Sequence, residues 1–126
     1  MGAGDFSSGE RYEIDRAIRA AEQASRFEFS VFVGIAEGDP TTFARRLHRA
    51  LVAPARSILV MVDPVVRAVE VVTGAEVRRH LTDGEVELAV LQMRSDFAEQ
   101  DLVGGLKRGI AMLADHARAP QTLHAD

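Results

Sequence analysis

The chain has 126 residues, no cysteine and a formal net charge of −4. That length supports one domain with its own core, and the missing thiols exclude disulfides and thiolate metal sites. The acidic balance argues against a general nucleic-acid binder, which needs a basic footprint to displace counterions.

Residues 1–10, MGAGDFSSGE, lack the basic and apolar regions of a secretory signal, and Phe6 stands where myristoylation of Gly2 would want serine or threonine. No apolar run approaches the ~20 residues that span a bilayer. A cytoplasmic location is expected unless a signal precedes the chain. All cations but Lys107 are arginine, in a chain rich in alanine and valine. That bias follows from a GC-rich bacterial genome, so arginine content by itself says nothing about anionic ligands.

Ser7 and Glu10 have capping-box spacing, and Ile14, Ala17, Ile18 and Ala21 recur at intervals of three and four. An amphipathic helix of about four turns is predicted there. In FEFSVFVGI, residues 27–35, Phe27, Phe29, Val31, Val33 and Ile35 alternate, which predicts a first strand. Asp39 as N-cap followed by Pro40 starts a second helix, with Phe43, Leu47, Ala50 and Leu51 on one face, which Pro54 ends. SILVMV, residues 57–62, is apolar throughout and predicts a central strand covered on both faces. Strand, helix and buried strand make a right-handed β-α-β unit.

Asp63-Pro64 turns the chain, and VVRAVEVVT, residues 65–73, predicts a third strand paired with the second as a hairpin. Gly74 closes it. A short helix holding Val77 and Leu81 follows, and Thr82 with Glu85 repeats the capping box ahead of a helix that ends near Phe97. Asp101 begins a last helix, in which Gly105 and Gly109, one turn apart, invite close packing of a neighbour. The sum is an α/β fold: a three-layer sandwich with a small mixed sheet and helices on both faces. One domain covers residues 1–126, with its core at about 8–117 and a frayed tail at 118–126.

Parallel first and second strands bring their carboxyl ends together, at the edge where open α/β sheets bind ligands. Glu37, Asp39 and Asp63 fall there, with Arg67 opening the third strand. Carboxylates from separate loops suit Ca²⁺ or Mg²⁺. A plain structural role explains them more simply, Asp39 being a helix cap and Asp63 the residue before a turn proline. Glu70 inside an apolar strand either faces water on an edge or is buried with a raised pKa. His48, His80, His116 and His124 are scattered without a zinc-binding spacing, and neither Ser30 nor Ser57 has an evident histidine partner. No phosphate-binding glycine loop or other cofactor motif is present. The basic patch of Arg45, Arg46 and Arg49, with His48, reads as a solvated helix face that could also meet an acidic protein partner or lipid headgroups; membrane association is not favoured.

Three stretches resemble the TPM domain family: FSVFVG at residues 29–34, ARSILVMVDPVVRAVEVVTGAEVRRHLTD at 55–83, and DFAEQDLVGGLKRGIAML at 96–113. The likeness covers residues 8–117 and is strongest to an uncharacterised actinobacterial branch sharing the SVFVG and VEVVTG runs. It implies an α/β sandwich. Since some TPM proteins are acid phosphatases and some bind calcium through acidic loops at one end of the sheet, it also implies Asp39, Asp63 and Asp83 as positions for such loop acids. Such members carry acids ahead of the first helix, where this chain has only Asp5. Two functional expectations result. The first is a non-catalytic interaction or regulatory module with a protein partner, and the alternative is a phosphatase-type hydrolase assisted by Ca²⁺ or Mg²⁺.

Overall fold

The computed structural model describes residues 6–118. Its elements in chain order are α1 (Ser8–Ser25), β1 (Glu28–Val33), α2 (Pro40–Arg49), β2 (Ser57–Asp63), β3 (Ala68–Thr73), α3 (Asp83–Ala98) and α4 (Leu102–Ala117), with single 3₁₀ turns at Pro54–Arg56 and Val77–Arg79. The expectations for Gly2, Asp5, His124 and the tail from residue 119 lie outside the described residues.

β2 is buried at every position and lies between its neighbours, parallel to β1 and antiparallel to β3. Its side chains alternate between two cores, as strand geometry requires. Ile58, Val60 and Val62 face a large core built with α1, α3 and α4, while Leu59 and Met61 face a smaller one under Ala44, Phe43 and Leu47 of α2. The predicted three-layer α/β sandwich is therefore the observed one, and among the described residues its sheet has three strands.

The local signals explain the boundaries. Both capping boxes form, Ser7 with Glu10 and Thr82 with Glu85. Asp39 accepts from the Thr42 backbone N–H and hydroxyl, each at 2.9 Å, ahead of Pro40. Two strands are shorter than the alternation predicts. β1 stops at Val33, leaving Ile35 65% exposed, and β3 starts at Ala68 rather than Val65. Residues 64–67 form the hairpin turn, which Arg67 closes with φ +58°. β-branched residues marked this segment as strand, but Pro64 carries no N–H for the ladder and directs the chain into a turn instead. The short helix expected around Val77 is a single 3₁₀ turn, with Val77 and Leu81 buried as expected.

Glycines set two close approaches. A Cβ on Gly109 would lie 2.5 Å from the Met93 side chain, and one on Gly105 2.6 Å from Phe97, so α3 and α4 touch along this stripe. A Cβ on Gly74 would run into the carbonyl oxygens of Pro54 and Ala55. That neighbour is backbone and cannot rotate away.

Arg108 ties the helices together at one end, donating from Nε to Asp96 at 2.9 Å and from a terminal nitrogen to Asp101 at 2.6 Å. Its hydrogen bonds are the main reason both carboxyls titrate below the usual range for aspartate.

Gly74→Ala should lose about 1–3 kcal/mol in urea unfolding. Gly109→Ala should destabilise too, by about 1–3 kcal/mol less the gain in helix propensity, because fully buried Met93 would have to shift from its Cγ outward. A depressed carboxyl contributes stability above its unfolded pKa near 4, lost as pH falls through the folded value. Arg108→Met should therefore be less stable than wild type at pH 7, with the gap closing in urea melts as pH drops below about 4.

Candidate functional site

Asp63 sits at the carboxyl end of β2 and is 1% exposed. One carboxylate oxygen accepts from the Ala36 N–H at 2.8 Å, and the other from Val65 at 2.9 Å and Val66 at 3.4 Å. The first bond holds the chain leaving β1 against the end of β2, and the others close the hairpin turn. Asp63 thus spends both oxygens on the backbone, which is how a buried carboxylate is kept without a cation.

The four acids named as metal candidates are not brought together as a set. Glu37 and Asp39 are exposed in the loop between β1 and α2, and Asp39 is occupied as the α2 cap. Thr42's backbone N–H holds the Asp39 carboxyl below its usual range. Asp83 lies at the opposite edge of the sheet. α3 runs from Asp83 back across the sheet, so its first and last residues are about 22 Å apart. Near its start Glu85 meets His116 of the last α4 turn at 3.1 Å, while Phe97 and Ala98 at its end reach the cleft beside Asp63. The Thr82–Glu85 cap engages Glu85, whose carboxyl the Thr82 N–H holds below the usual glutamate range. Among the described residues no group of three or more His, Cys, Asp or Glu is arranged to hold a metal ion.

The other candidates separate in the same way. His48, grouped with the basic patch, is buried, its Nε2 lying 3.0 Å from the Ser57 carbonyl, and so belongs to the sheet rather than the surface. Arg45, Arg46 and Arg49 are exposed as expected. Ser57 Oγ donates to the Ala53 carbonyl at 2.7 Å, a local turn bond. Glu70 is half-buried on β3, opposite Met61 at the sheet edge, in line with the water-facing alternative.

What sequence reasoning missed is a cleft of about 520 Å³ between the β2–β3 hairpin and the α3–α4 turn. Val62, Val69, Phe97 and Leu102 give it an apolar floor, and Arg67 and Arg94 flank it. Both arginines are exposed, and among the described residues neither is in an ion pair. Arg67 and Gln100, on opposite walls, both hold left-handed backbone, at φ +58° and +65°. Residues with a Cβ pay for that conformation, so two at one cleft mark a place where local strain is tolerated. At the same edge of the sheet Ile35, Val65 and Val66 are each more than 60% exposed, so the edge carries an apolar rim of its own. Leu91, half-exposed, lies one turn before Arg94 on α3.

A family model described as a domain of unknown function, DUF5130, matches residues 3–114, and the chain belongs to that family. It is 28% identical over 109 residues to the uncharacterized protein Rv2468c of Mycobacterium tuberculosis strain ATCC 25618 / H37Rv, covering 86% of this chain and 65% of that one. The uncharacterized protein MT2543 of Mycobacterium tuberculosis strain CDC 1551 / Oshkosh matches with the same figures. The chain thus spans 65% of the length of these curated relatives. Among solved structures it is similar to the BA42 protein of the psychrophilic Bizionia argentinensis, with a TM-score of 0.77 at 17% identity over 90% of this chain and 81% of that one. It is similar also to the N-terminal domain of the cg2496 protein of Corynebacterium glutamicum, with a TM-score of 0.74 at 18% identity over 98% and 84% of the two chains. An N-terminal domain from P. gingivalis gives 0.72 at 18% identity, over 89% and 76%. At these identities the likeness is one of fold. The expected actinobacterial kinship has its counterpart in the mycobacterial relatives, and no TPM family model is among the matches.

Asp63→Ala should cost about 1–3 kcal/mol in urea unfolding, since it removes a charged acceptor from part-buried backbone N–H groups. Asp63→Asn should cost less, one amide oxygen still accepting. If the acid is structural, both losses will be the same in Ca²⁺ and in EDTA; a loss present only in Ca²⁺ would mark a ligand.

Proposed function

We propose that this chain is a non-catalytic interaction module of TPM type, which takes an acidic, apolar segment of a partner protein at the carboxyl edge of its sheet. The observation that carries this reading is the pair of guanidiniums, Arg67 and Arg94, that make no ion pair among the described residues, beside an apolar cleft whose buried acid is fully engaged with backbone. Apolar floor and exposed apolar rim supply the area that gives affinity, and the arginines supply register and choice of partner by charge. Arginine suits that task, since its planar fork can hold a carboxylate through two hydrogen bonds. The TPM attribution rests on the motifs of residues 29–34, 55–83 and 96–113 and on the observed order of helices and strands.

Metal-assisted phosphomonoester hydrolysis is the reading the geometry favours less. It would need a carboxylate free to bind a cation or direct water, and Asp39 and Asp63 serve as cap and turn acceptor.

A synthetic peptide alternating leucine and glutamate should shift amide resonances at residues 65–69 and 94–102, and its lysine counterpart should not. Arg67→Glu/Arg94→Glu should reverse that preference. Equal binding of both peptides by wild type, or shifts elsewhere only, would overturn the reading, as would turnover of p-nitrophenyl phosphate that Asp63→Asn abolishes.

A further inference from the structure

At the opposite edge, beside the amino ends of β1 and β2, lies a second cleft of about 530 Å³. It is walled by the end of α1, the turn before β2, the turn after β3 and the end of α4. Arg26, Arg56, Arg79, Arg118 and His80 line it, and Glu76 is the one acid among its lining residues. Glu76 is engaged with Arg56 at 3.3 Å. Arg56 is also fixed from two other sides, donating to the Arg26 carbonyl at 2.6 Å and lying 5.4 Å from the centre of the Phe27 ring. Among the described residues Arg26 and Arg79 make no ion pair, and Arg118 reaches only exposed Asp115, at 3.9 Å.

Part of this positive charge answers the helices, because α1 and α4 both end here and each free carboxyl end carries about half a negative charge. Four guanidiniums against one lining carboxylate and two such ends leave an excess of about two positive charges, or about one when Asp115 is set against Arg118. A phosphate monoester carries about that charge with the opposite sign near neutral pH. Arg26 adds a separate argument. It occupies the left-handed position that closes α1, φ +70°, its N–H bonded to the Glu22 carbonyl at 2.8 Å. Glycine fits that position without strain. An arginine held there places a fourth guanidinium on the cleft against the local backbone preference.

We propose that this cleft binds a small soluble molecule bearing a phosphate monoester, with Arg26 and Arg79 as its direct ligands and Arg56 as a fixed wall. A concave site of this size suits a sugar phosphate or mononucleotide rather than a flat lipid surface. The proposal is independent of the cleft at the carboxyl edge.

Glucose 6-phosphate is the probe, titrated at physiological chloride while amide resonances are followed. Saturable shifts are expected at residues 23–27, 55–56 and 76–80. Arg26→Gly/Arg79→Gln should weaken binding at least tenfold, and Arg67→Gln/Arg94→Gln should leave it unchanged. The melting temperature of Arg26→Gly should equal or exceed that of wild type, so that lost binding there is not lost folding. Non-saturating shifts, or affinity unaltered by Arg26→Gly/Arg79→Gln, would sink the proposal. So would sedimentation with phosphatidylglycerol vesicles unaccompanied by any response to glucose 6-phosphate.

Discussion

A strand with no exposed residue has to be covered twice, and that requirement on Ser57–Asp63 organises the molecule. Its odd and even side chains fall into separate cores, so α2 must close one face while α1, α3 and α4 close the other. The strand's neighbours then have fixed directions. β1 feeds it through a helix and so runs parallel, whereas β3 follows a four-residue turn and can only run back. Asp63 stands where this scheme changes hands. It is the last residue of the buried strand, and its carboxylate takes up the N–H groups that the end of β1 and the hairpin turn would otherwise leave without partners.

Much of that plan was legible in the sequence because it depends on signals local to a few residues. Two capping boxes, Asp39-Pro40 and an unbroken apolar run each dictate their own structure without reference to distant parts of the chain. Failures came where a local preference met a stronger local constraint. Val65 and Val66 favour strand, but Pro64 withdraws a donor and the chain turns. Ile35 continued an alternation that the ladder had already left. His48 looked like part of an exposed cationic face, yet helical spacing places it on the side of α2 toward the sheet, where the Ser57 carbonyl lies in reach of its ring.

The candidate site was less legible, for a reason of distance along the chain. Asp63 and Asp83 are close in sequence and stand at opposite edges of the sheet, because β3 carries the chain across between them. Arg67 and Arg94 are no closer in sequence than that pair, yet share a cleft, because α3 brings the chain back. The same holds for Arg26, Arg56, Arg79 and Arg118. Arginine content by itself carries no placement. Neither the −4 net charge nor a count of cations reveals that the charges are sorted by end.

That sorting follows from the helices. α1, α2 and α4 all run from the carboxyl edge of the sheet toward the amino edge, the direction opposite to β1 and β2. Their amino ends take acids, as Glu10, Asp39 and Asp101 show, and their carboxyl ends gather arginines. The force involved is small at each terminus and reaches only about one turn, so it cannot account for every cation at the amino edge. What it does is bias which sign of charge is inexpensive to hold at each end. α3 runs the other way and breaks the sorting at both edges, its acidic start with Asp83 and Glu85 lying at the amino edge and Arg94, ahead of its last turn, lining the cleft at the carboxyl edge. One break in the sorting thus falls at a cleft, and an excess of arginine falls at the other. Electrostatics that stabilise the fold set a background, and the two clefts are the places where the side chains depart from it.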